Sequence, residues 1–196
     1  ALPIYALSVW KLVQELESAG ASGIFLEDQR WPKRCGHMQG KEVVSQEEYT
    51  EKLGAAIDAR QSKDFIIVAR TDARATEGLD SAIERGLQNK KTGADAVFIE
   101  APRTIEEMKI IGKSIKAPLV ANMIEGGATP ISSAQTLYKM GFKIILYPLS
   151  VLFANTFASM NILKELKKTG TTTKFKQKVV NFDQFNDLVR SEERRV

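Results

Sequence analysis

The chain is poor in the residue types that most often build metal and redox sites. Its 196 residues include one cysteine and one histidine. A single cysteine excludes an internal disulfide and a zinc site made of cysteines. We therefore expect a reducing intracellular compartment, either cytoplasmic or organellar. Long apolar runs are also missing, because no stretch approaches the roughly 18 apolar residues that a membrane span needs. We expect no membrane partner.

The chain also lacks a strong excess of charge of either sign. Its formal net charge is +4, and the basic residues are scattered among acidic ones. No basic stripe with interleaved aromatic residues appears, so the pattern gives no support to nucleic-acid binding. A small molecule is the more natural partner for such a surface.

The one cysteine and the one histidine lie two residues apart, as Cys35 and His37, next to Lys33 and Arg34. Cationic neighbours lower the pKa of a thiol and make it chemically useful. The alternative is that Cys35 is a small buried residue, which is the usual fate of a free cysteine. The charged neighbours and Gly36 argue against a core position.

Both ends of the chain look foreign to the rest. Back-translation of residues 190–195, R-S-E-E-R-R, reproduces a common short-read sequencing adapter, and residues 1–5 fit adapter sequence as well. We interpret residues 1–5 and 190–196 as adapter-derived. Residues 6–189 are then one partial domain of a longer protein, and such scars are left out of fold reasoning.

Short apolar runs alternate with amphipathic stretches along the chain. We predict strands at 23–26, 65–69, 96–99, 119–121 and 143–146. We predict helices near 45–60, 79–92, 105–115, 132–139, 151–168 and 174–189. Nearly continuous apolar strands are typical of a parallel sheet buried on both faces. The alternation therefore predicts an α/β fold, either a doubly wound sheet or a (β/α)₈ barrel.

Polar side chains follow each predicted strand. The residues at the first four strand ends include Glu27, Arg70, Glu100 and Asn122. Barrel enzymes collect their functional residues from many strand ends, whereas a doubly wound sheet uses one switch point. We therefore favour an incomplete (β/α)₈ TIM barrel with about its last five strands present, followed by C-terminal helices.

These strand-end residues suggest chemistry on a small anion. Glu27, Glu100 and Glu125 are acidic, and carboxylates suit Mg²⁺. Arg70 suits capture of a carboxylate or phosphate. Cys35 or His37 could move a proton near a developing carbanion. Two structural alternatives stay open: Asp28 as a helix cap, and Arg70 with Glu100 as a structural ion pair.

Six stretches then carry a family resemblance. In chain order they are G-I-F-L-E-D-Q (23–29), K-R-C-G-H (33–37), A-R-T-D-A (69–73), E-A-P (100–102), A-N-M-I-E-G-G (121–127) and Y-P-L-S (147–150). This ordered set closely resembles the isocitrate lyase/phosphoenolpyruvate mutase superfamily. It is most similar to the branch of carboxyvinyl-carboxyphosphonate phosphorylmutase-like and 2-methylisocitrate lyase-like proteins.

The resemblance implies a (β/α)₈ barrel and Mg²⁺-dependent cleavage or formation of a C–C or P–C bond. It implies that the K-R-C-G-H loop closes over the site and that Cys35 protonates an enolate, with His37 supporting the loop. By the same matching, the substrate-binding residues are Cys35, Gly36, Arg70, Glu100 and Asn122. Glu27 would hold the metal through water. The resemblance also implies a homo-oligomer, a tetramer that swaps a C-terminal helix near 151–168.

Two departures from the family pattern qualify this. The direct metal aspartates of the family fall near residues 3–5, which contain none, so we expect this chain alone to be inactive. Phe153 and, by our alignment, Phe182 stand where methylisocitrate lyases carry arginines. The loss of two cations argues against a tricarboxylate, because an anion left without its partner is costly. We expect a smaller 2-hydroxy or 2-oxo dicarboxylate as substrate.

The function expected from the sequence is therefore a Mg²⁺-dependent carbon–carbon lyase that acts through an enolate. A phosphorylmutase of the same superfamily is the first alternative, although retention of Cys35 favours the lyase, since an enolate needs a proton. A non-catalytic subunit is the second alternative.

Overall fold

The computed structural model of the chain describes residues 4–36, 38, 40–176 and 178–190. It divides into two compact units, Ala1–Pro148 and Leu149–Val196. Among the described residues, no helix combines the length and the apolar character required to cross a bilayer.

The first unit is built on one parallel sheet. Its strands are β1 (Gly23–Glu27), β2 (Ile66–Thr71), β3 (Ala96–Ile99), β4 (Leu119–Asn122) and β5 (Phe142–Leu146). Each strand pairs in parallel with the next one along the chain. A doubly wound sheet reverses its strand order at a switch point, whereas a barrel adds strands in sequence. The described strands follow the barrel order, and the α/β prediction is confirmed.

Helices precede and connect the strands, and some of them start at a serine or threonine that caps the first turn. They are α1 (Ile4–Ser18), α2 (Gln46–Ala59), α3 (Ala73–Thr76), α4 (Leu79–Thr92), α5 (Ile105–Ser114) and α6 (Ala134–Lys139). The Ser45 side chain accepts a hydrogen bond from the backbone N–H of Glu48, and Thr104 does the same for Glu107. These bonds satisfy N–H groups that the first helical turn leaves without a partner.

Both faces of the sheet carry buried apolar side chains, and the two faces differ. Side chains such as Ile67, Val97 and Leu119 belong to the two larger apolar clusters, which include residues of the surrounding helices. The opposite face carries a smaller cluster of Val68, Ala96, Phe98 and Val120. Successive side chains of a strand alternate between faces. Arg70 lies two positions after Val68, and Asn122 lies two positions after Val120. Glu27 lies at an even spacing of the same kind within β1. All three side chains therefore point to the second face.

Two helices of the structure were not predicted, and one predicted helix is wrong. Helices α1 and α3 were not predicted, although α1 buries Val13 completely in the core beneath it. The single helix predicted at 174–189 is wrong. The second unit contains α7 (Ser150–Thr169), a 3₁₀ turn (Thr173–Phe175) and α8 (Phe182–Val189). Asn181 is extended and forms a reciprocal capping box with Gln184, so a new helix starts there and cannot continue from residue 174.

Close packing between α5 and the residue that follows α6 can be tested at a glycine. A Cβ added at Gly112 would lie 1.7 Å from the carbonyl oxygen of Met140, whereas one added at Gly54, in α2, meets nothing within 4 Å. We expect Gly112→Ala to lower the free energy of unfolding by roughly 2–3 kcal/mol, because backbone must shift. Gly54→Ala should raise it by up to about 1 kcal/mol. Urea unfolding followed by circular dichroism measures both, and two stabilised variants would contradict the packing described here.

Candidate active site

Four of the residues predicted for the site lie in one line of contacts across the carboxyl ends of β1 to β4. Arg70 Nε lies 3.6 Å from Glu27 Oε2, and Arg70 Nη1 lies 3.6 Å from Glu100 Oε2. Asn122 Nδ2 donates a hydrogen bond of 3.2 Å to Glu100 Oε1. The strand order brings them together, because parallel strands end at the same edge. Glu125, also acidic, lies exposed in the loop after β4.

Arg70 is the centre of this group and is held firmly. Its Nε and Nη2 donate to the two carboxylate oxygens of Asp72 at 2.9 and 3.1 Å, and the guanidinium lies 5.2 Å from the centre of the Phe98 ring. Burial by itself lowers the pKa of Arg70, but the Asp72 hydrogen bond and the charges of Glu100, Asp72 and Glu27 outweigh it and raise that pKa. Arg70 is thus a fixed cation, which suits recognition of an anion.

A cavity of about 510 Å³ opens beside this group. Its volume is in the range of sites that hold a small molecule. Its lining combines two cations, Lys33 and Arg70, and one carboxylate, Glu27, with apolar side chains such as Phe98 and Leu146. Asn122 also lines it, and among the described residues its buried Oδ1 has no hydrogen-bond partner. The cavity therefore offers positive charge for an anion and one acceptor for a donor group.

The loop that carries the cysteine rests on this group. Gly36 is buried, and a Cβ added there would lie 2.4 Å from Glu100 Cγ and 2.6 Å from Arg70 Nη2. A glycine is required because the backbone approaches both side chains so closely. Cys35, the neighbouring residue, is exposed with a free thiol. The prediction for His37 falls outside the described residues.

Two residues with a clear structural part in the site were given no role from the sequence. Asp72 orients Arg70, and its place two residues beyond Arg70 at a strand end is a signal that could have found it. Lys41 is buried, with its Nζ 3.3 Å from Asp72 Oδ1. No pattern marks Lys41, because a lysine beside a glycine in a loop is ordinarily exposed.

Asp28 follows Glu27 directly and belongs to a second, buried network, which shares Asp72 with the Arg70 group. Its carboxylate accepts hydrogen bonds from the Thr71 hydroxyl at 2.6 Å, from the Asp72 backbone N–H at 2.9 Å and from Arg85 Nη1 at 3.2 Å. This network ties α4 to the ends of β1 and β2. Burial outweighs the hydrogen bonds and raises the pKa of Asp28 from its ordinary 3.8 to about 6.

The described residues do not by themselves make a site that fits Mg²⁺. No three cysteine, histidine, aspartate or glutamate side chains in this part of the chain form a group that could hold a metal ion. Glu27, the residue predicted to reach the metal through water, lies 2.7 Å from Lys33 Nζ through Oε1 and near Arg70 through Oε2. Both of its oxygens therefore face cations of the protein.

The sequence matches the profile of the phosphoenolpyruvate phosphomutase family over residues 5–167. The chain belongs to this family. A relative from Arabidopsis thaliana, carboxyvinyl-carboxyphosphonate phosphorylmutase, chloroplastic, is 49% identical over 187 residues, which cover 94% of this chain and 55% of the relative. The 2,3-dimethylmalate lyase of Eubacterium barkeri is 46% identical over 184 residues, covering 94% of this chain and 64% of the lyase.

Solved structures of the superfamily share the fold. An oxaloacetate acetylhydrolase in complex with the inhibitor 3,3-difluorooxalacetate superposes with a TM-score of 0.86 at 30% identity, over 96% of this chain and 65% of that one. A phosphonopyruvate hydrolase in complex with oxalate and Mg²⁺ superposes with a TM-score of 0.80 at 28% identity, over 97% and 66%. This member of the phosphoenolpyruvate phosphomutase family thus spans between half and two thirds of these relatives.

The buried Asp28 carboxyl predicts a pH dependence of stability. Between pH 4 and 6 the folded state retains a proton on Asp28 that the unfolded state has lost. The contribution of this group to the free energy of unfolding therefore falls as pH rises through this window, by about 3 kcal/mol at most. Above about pH 6 the loss is complete, and below about pH 4 both states are protonated.

NMR measures this directly in metal-free buffer. The ¹³C resonance of the Asp28 carboxyl should titrate near pH 6. The spectrum of Asp28→Asn identifies the resonance by its disappearance. A midpoint below the ordinary aspartate value would contradict the assignment of burial as the dominant influence.

Proposed function

We propose that the protein carrying this chain is a carbon–carbon lyase that cleaves a small 2-hydroxy or 2-oxo dicarboxylate through an enolate intermediate. The observation that carries the proposal is a contact between two parts of the site. In the loop of Cys35, which we call the cysteine loop, Gly36 packs against Arg70 and Glu100. These two residues, with Glu27 and Asn122, form what we call the anion-binding group. The thiol of Cys35, one residue from Gly36, can then act on a substrate that Arg70 holds. The relatives named lyases and hydrolases of small carboxylates support the same chemistry.

The cavity favours a compact substrate with two negative charges. Arg70 and Lys33 line it, and each can pair with one carboxylate. The amide nitrogen of Asn122 donates a hydrogen bond to Glu100, so the amide oxygen of Asn122 points away from that carboxylate. This oxygen is left as an acceptor for a substrate hydroxyl. This supports the 2-hydroxy alternative. The family resemblance of the sequence, which matches Phe153 and Phe182 to arginines of methylisocitrate lyases, argues against a third carboxylate.

Cleavage of a 2-hydroxy dicarboxylate requires two proton movements. The hydroxyl group gives its proton to water and becomes a carbonyl, while the bond between C2 and C3 breaks and its electron pair remains on C3 as an enolate. The enolate then takes a proton at C3. Cys35 is the proposed donor, because it is the one thiol of the chain and its loop packs on the site.

Mg²⁺ is the proposed cofactor. Its support is the phosphonopyruvate hydrolase complex with oxalate and Mg²⁺. When bound, the ion would stabilise negative charge on the enolate oxygen. Within the described residues, Glu27 alone is proposed to contribute, through water, and we assign this chain no further metal ligand.

The proposed partner is a second copy of the chain. None of the 20 described residues of α7 is buried, although the helix carries large apolar side chains. Val151, Phe157 and Leu163 are 73%, 71% and 63% exposed, respectively. Exposed apolar faces of this kind mark protein–protein contacts. The proposal is a homo-oligomer, a tetramer with exchanged helices.

Substitution in α7 tests the oligomer. Phe157→Asp should dissociate it, because an unpaired carboxylate would be buried in the contact. Sedimentation velocity over a range of concentrations measures the mass, with Lys109→Met on α5 as a control that should leave it unchanged. A wild-type protein that sediments as a monomer at every concentration would contradict the proposal.

The activity is tested in the natural protein that carries this sequence. With Mg²⁺ present, we expect cleavage of 2,3-dimethylmalate or another 2-hydroxy dicarboxylate from a panel that includes oxaloacetate and phosphonopyruvate. Cys35→Ala should lower kcat by about 10²- to 10⁴-fold, the usual contribution of a general acid. Oxalate binding, measured by calorimetry, should be retained, and Lys109→Met serves as the control.

The alternatives give different results. Conversion of phosphonopyruvate without cleavage of any dicarboxylate would favour the phosphorylmutase. Oxalate binding without turnover of any substrate would favour the non-catalytic subunit. Unchanged turnover in Cys35→Ala would overturn the role assigned to Cys35.

A further inference from the structure

Lys41 lies on the loop between β1 and α2 and is buried, which is rare for a lysine. Its side chain is 1% exposed. We propose that Lys41 is the positioning residue that holds the Cys35 loop against Arg70 and Glu100. The kinetic part of this inference rests on the proposed lyase function, whereas its structural part does not.

The loop is closed at its base by backbone hydrogen bonds. The Arg30 N–H donates to the Glu42 carbonyl at 2.9 Å, and the Val44 N–H donates to the Asp28 carbonyl at 2.8 Å. Gln29 and Val43 form an isolated antiparallel bridge between them. The backbone at Arg30 is therefore held beside the backbone at Glu42, and Lys41 directly precedes Glu42.

From this end Lys41 reaches across to the tip of the loop. Its ammonium donates a hydrogen bond to the carbonyl oxygen of Gly36. The same ammonium lies 3.3 Å from Asp72 Oδ1. On the other side of the loop, the Gln29 side chain makes two hydrogen bonds with the backbone of Arg34, each 2.9 Å long. Lys41 thus joins the Gly36 carbonyl to Asp72, and the ion pair of Lys33 with Glu27 is a second link between this loop and the sheet.

Asp72 connects this contact to the anion-binding group. Its carboxylate is fully buried and accepts two hydrogen bonds from Arg70, so Lys41 and Arg70 share one carboxylate. A buried ammonium is costly unless it is paired and hydrogen-bonded. Here one carboxylate and one carbonyl satisfy it, and both partners belong to the site. The charge therefore links the position of the loop to the position of Arg70.

Lys41→Met tests the inference, because methionine keeps the apolar stem of the side chain and removes only the ammonium. The Gly36 carbonyl would lose a charged donor, so the open form of the loop should gain roughly 10- to 100-fold in population. Hydrogen exchange followed by mass spectrometry should show this as faster exchange in peptides that cover residues 29–40. Trypsin should cleave after Lys33 and Arg34 faster, because cleavage requires local opening.

Three further variants make the result specific. Lys41→Arg keeps the charge and should restore part of the protection. Asp72→Asn removes the other partner and should also increase exchange in the loop, which keeps the test open if Lys41→Met fails to fold. Lys109→Met, an exposed lysine on α5, should change nothing in the loop.

The readouts separate this inference from the proposed lyase function. If turnover exists, Lys41→Met should lower kcat more than it raises the dissociation constant for oxalate. If no substrate is turned over, the exchange result still decides the structural part. Unchanged exchange in residues 29–40 would overturn the inference. Exchange that rises equally throughout the first unit would also overturn it, since Lys41 would then only stabilise the fold.

Discussion

The site depends on a cluster of alternating charges centred on Arg70. Three carboxylates, those of Glu27, Asp72 and Glu100, lie within 3.6 Å of its guanidinium. Two lysines add positive charge to the cluster: Lys33 pairs with Glu27, and Lys41 pairs with Asp72. Opposite charges in a partly dry environment attract strongly and hold one another in place. The cluster therefore sets the direction in which each side chain can meet a ligand.

This arrangement has a consequence for binding. An anion that enters beside Arg70 and Lys33 must compete with Glu27 for both cations, whereas Asp72 keeps its two hydrogen bonds to Arg70. Asp72 is buried and accepts two hydrogen bonds from Arg70, while Glu27 is partly exposed and lies 3.6 Å away. The longer contact with Glu27 can therefore give way to a ligand while the two hydrogen bonds to Asp72 keep the guanidinium oriented, as recognition of a carboxylate requires.

The sheet explains why these residues meet. In parallel strands of sequential order, the ends of β1 to β4 lie side by side, and the alternation of side chains points Glu27, Arg70 and Asn122 to one face. Their positions were predictable from the strand ends, because buried parallel strands are apolar throughout and a polar residue marks where burial stops. The contact of Gly36 with Arg70 and Glu100 was not predictable in this way, since no spacing rule states how far a loop folds back.

The errors have physical causes of the same kind. Helix α1 was missed because its apolar residues become buried only through contact with α2 and the sheet. The helix predicted at 174–189 is confined to α8, because the Asn181–Gln184 capping box starts the helix there and only a 3₁₀ turn precedes it. The apolar pattern of residues 174–189 was compatible with a longer or a shorter helix, and the local hydrogen bonds of the capping box decided between them.

The sequence by itself determined the alternation of strands and helices, the caps of α2 and α5, the family, and the identity of the polar residues at the strand ends. These follow from local periodicity and from motifs whose residues are close along the chain. Only the tertiary structure decided that Lys41 is buried, that it shares Asp72 with Arg70, and that the cysteine loop rests on Glu100. Such contacts join residues that are distant in sequence, and burial of charge depends on which partners the fold places around it.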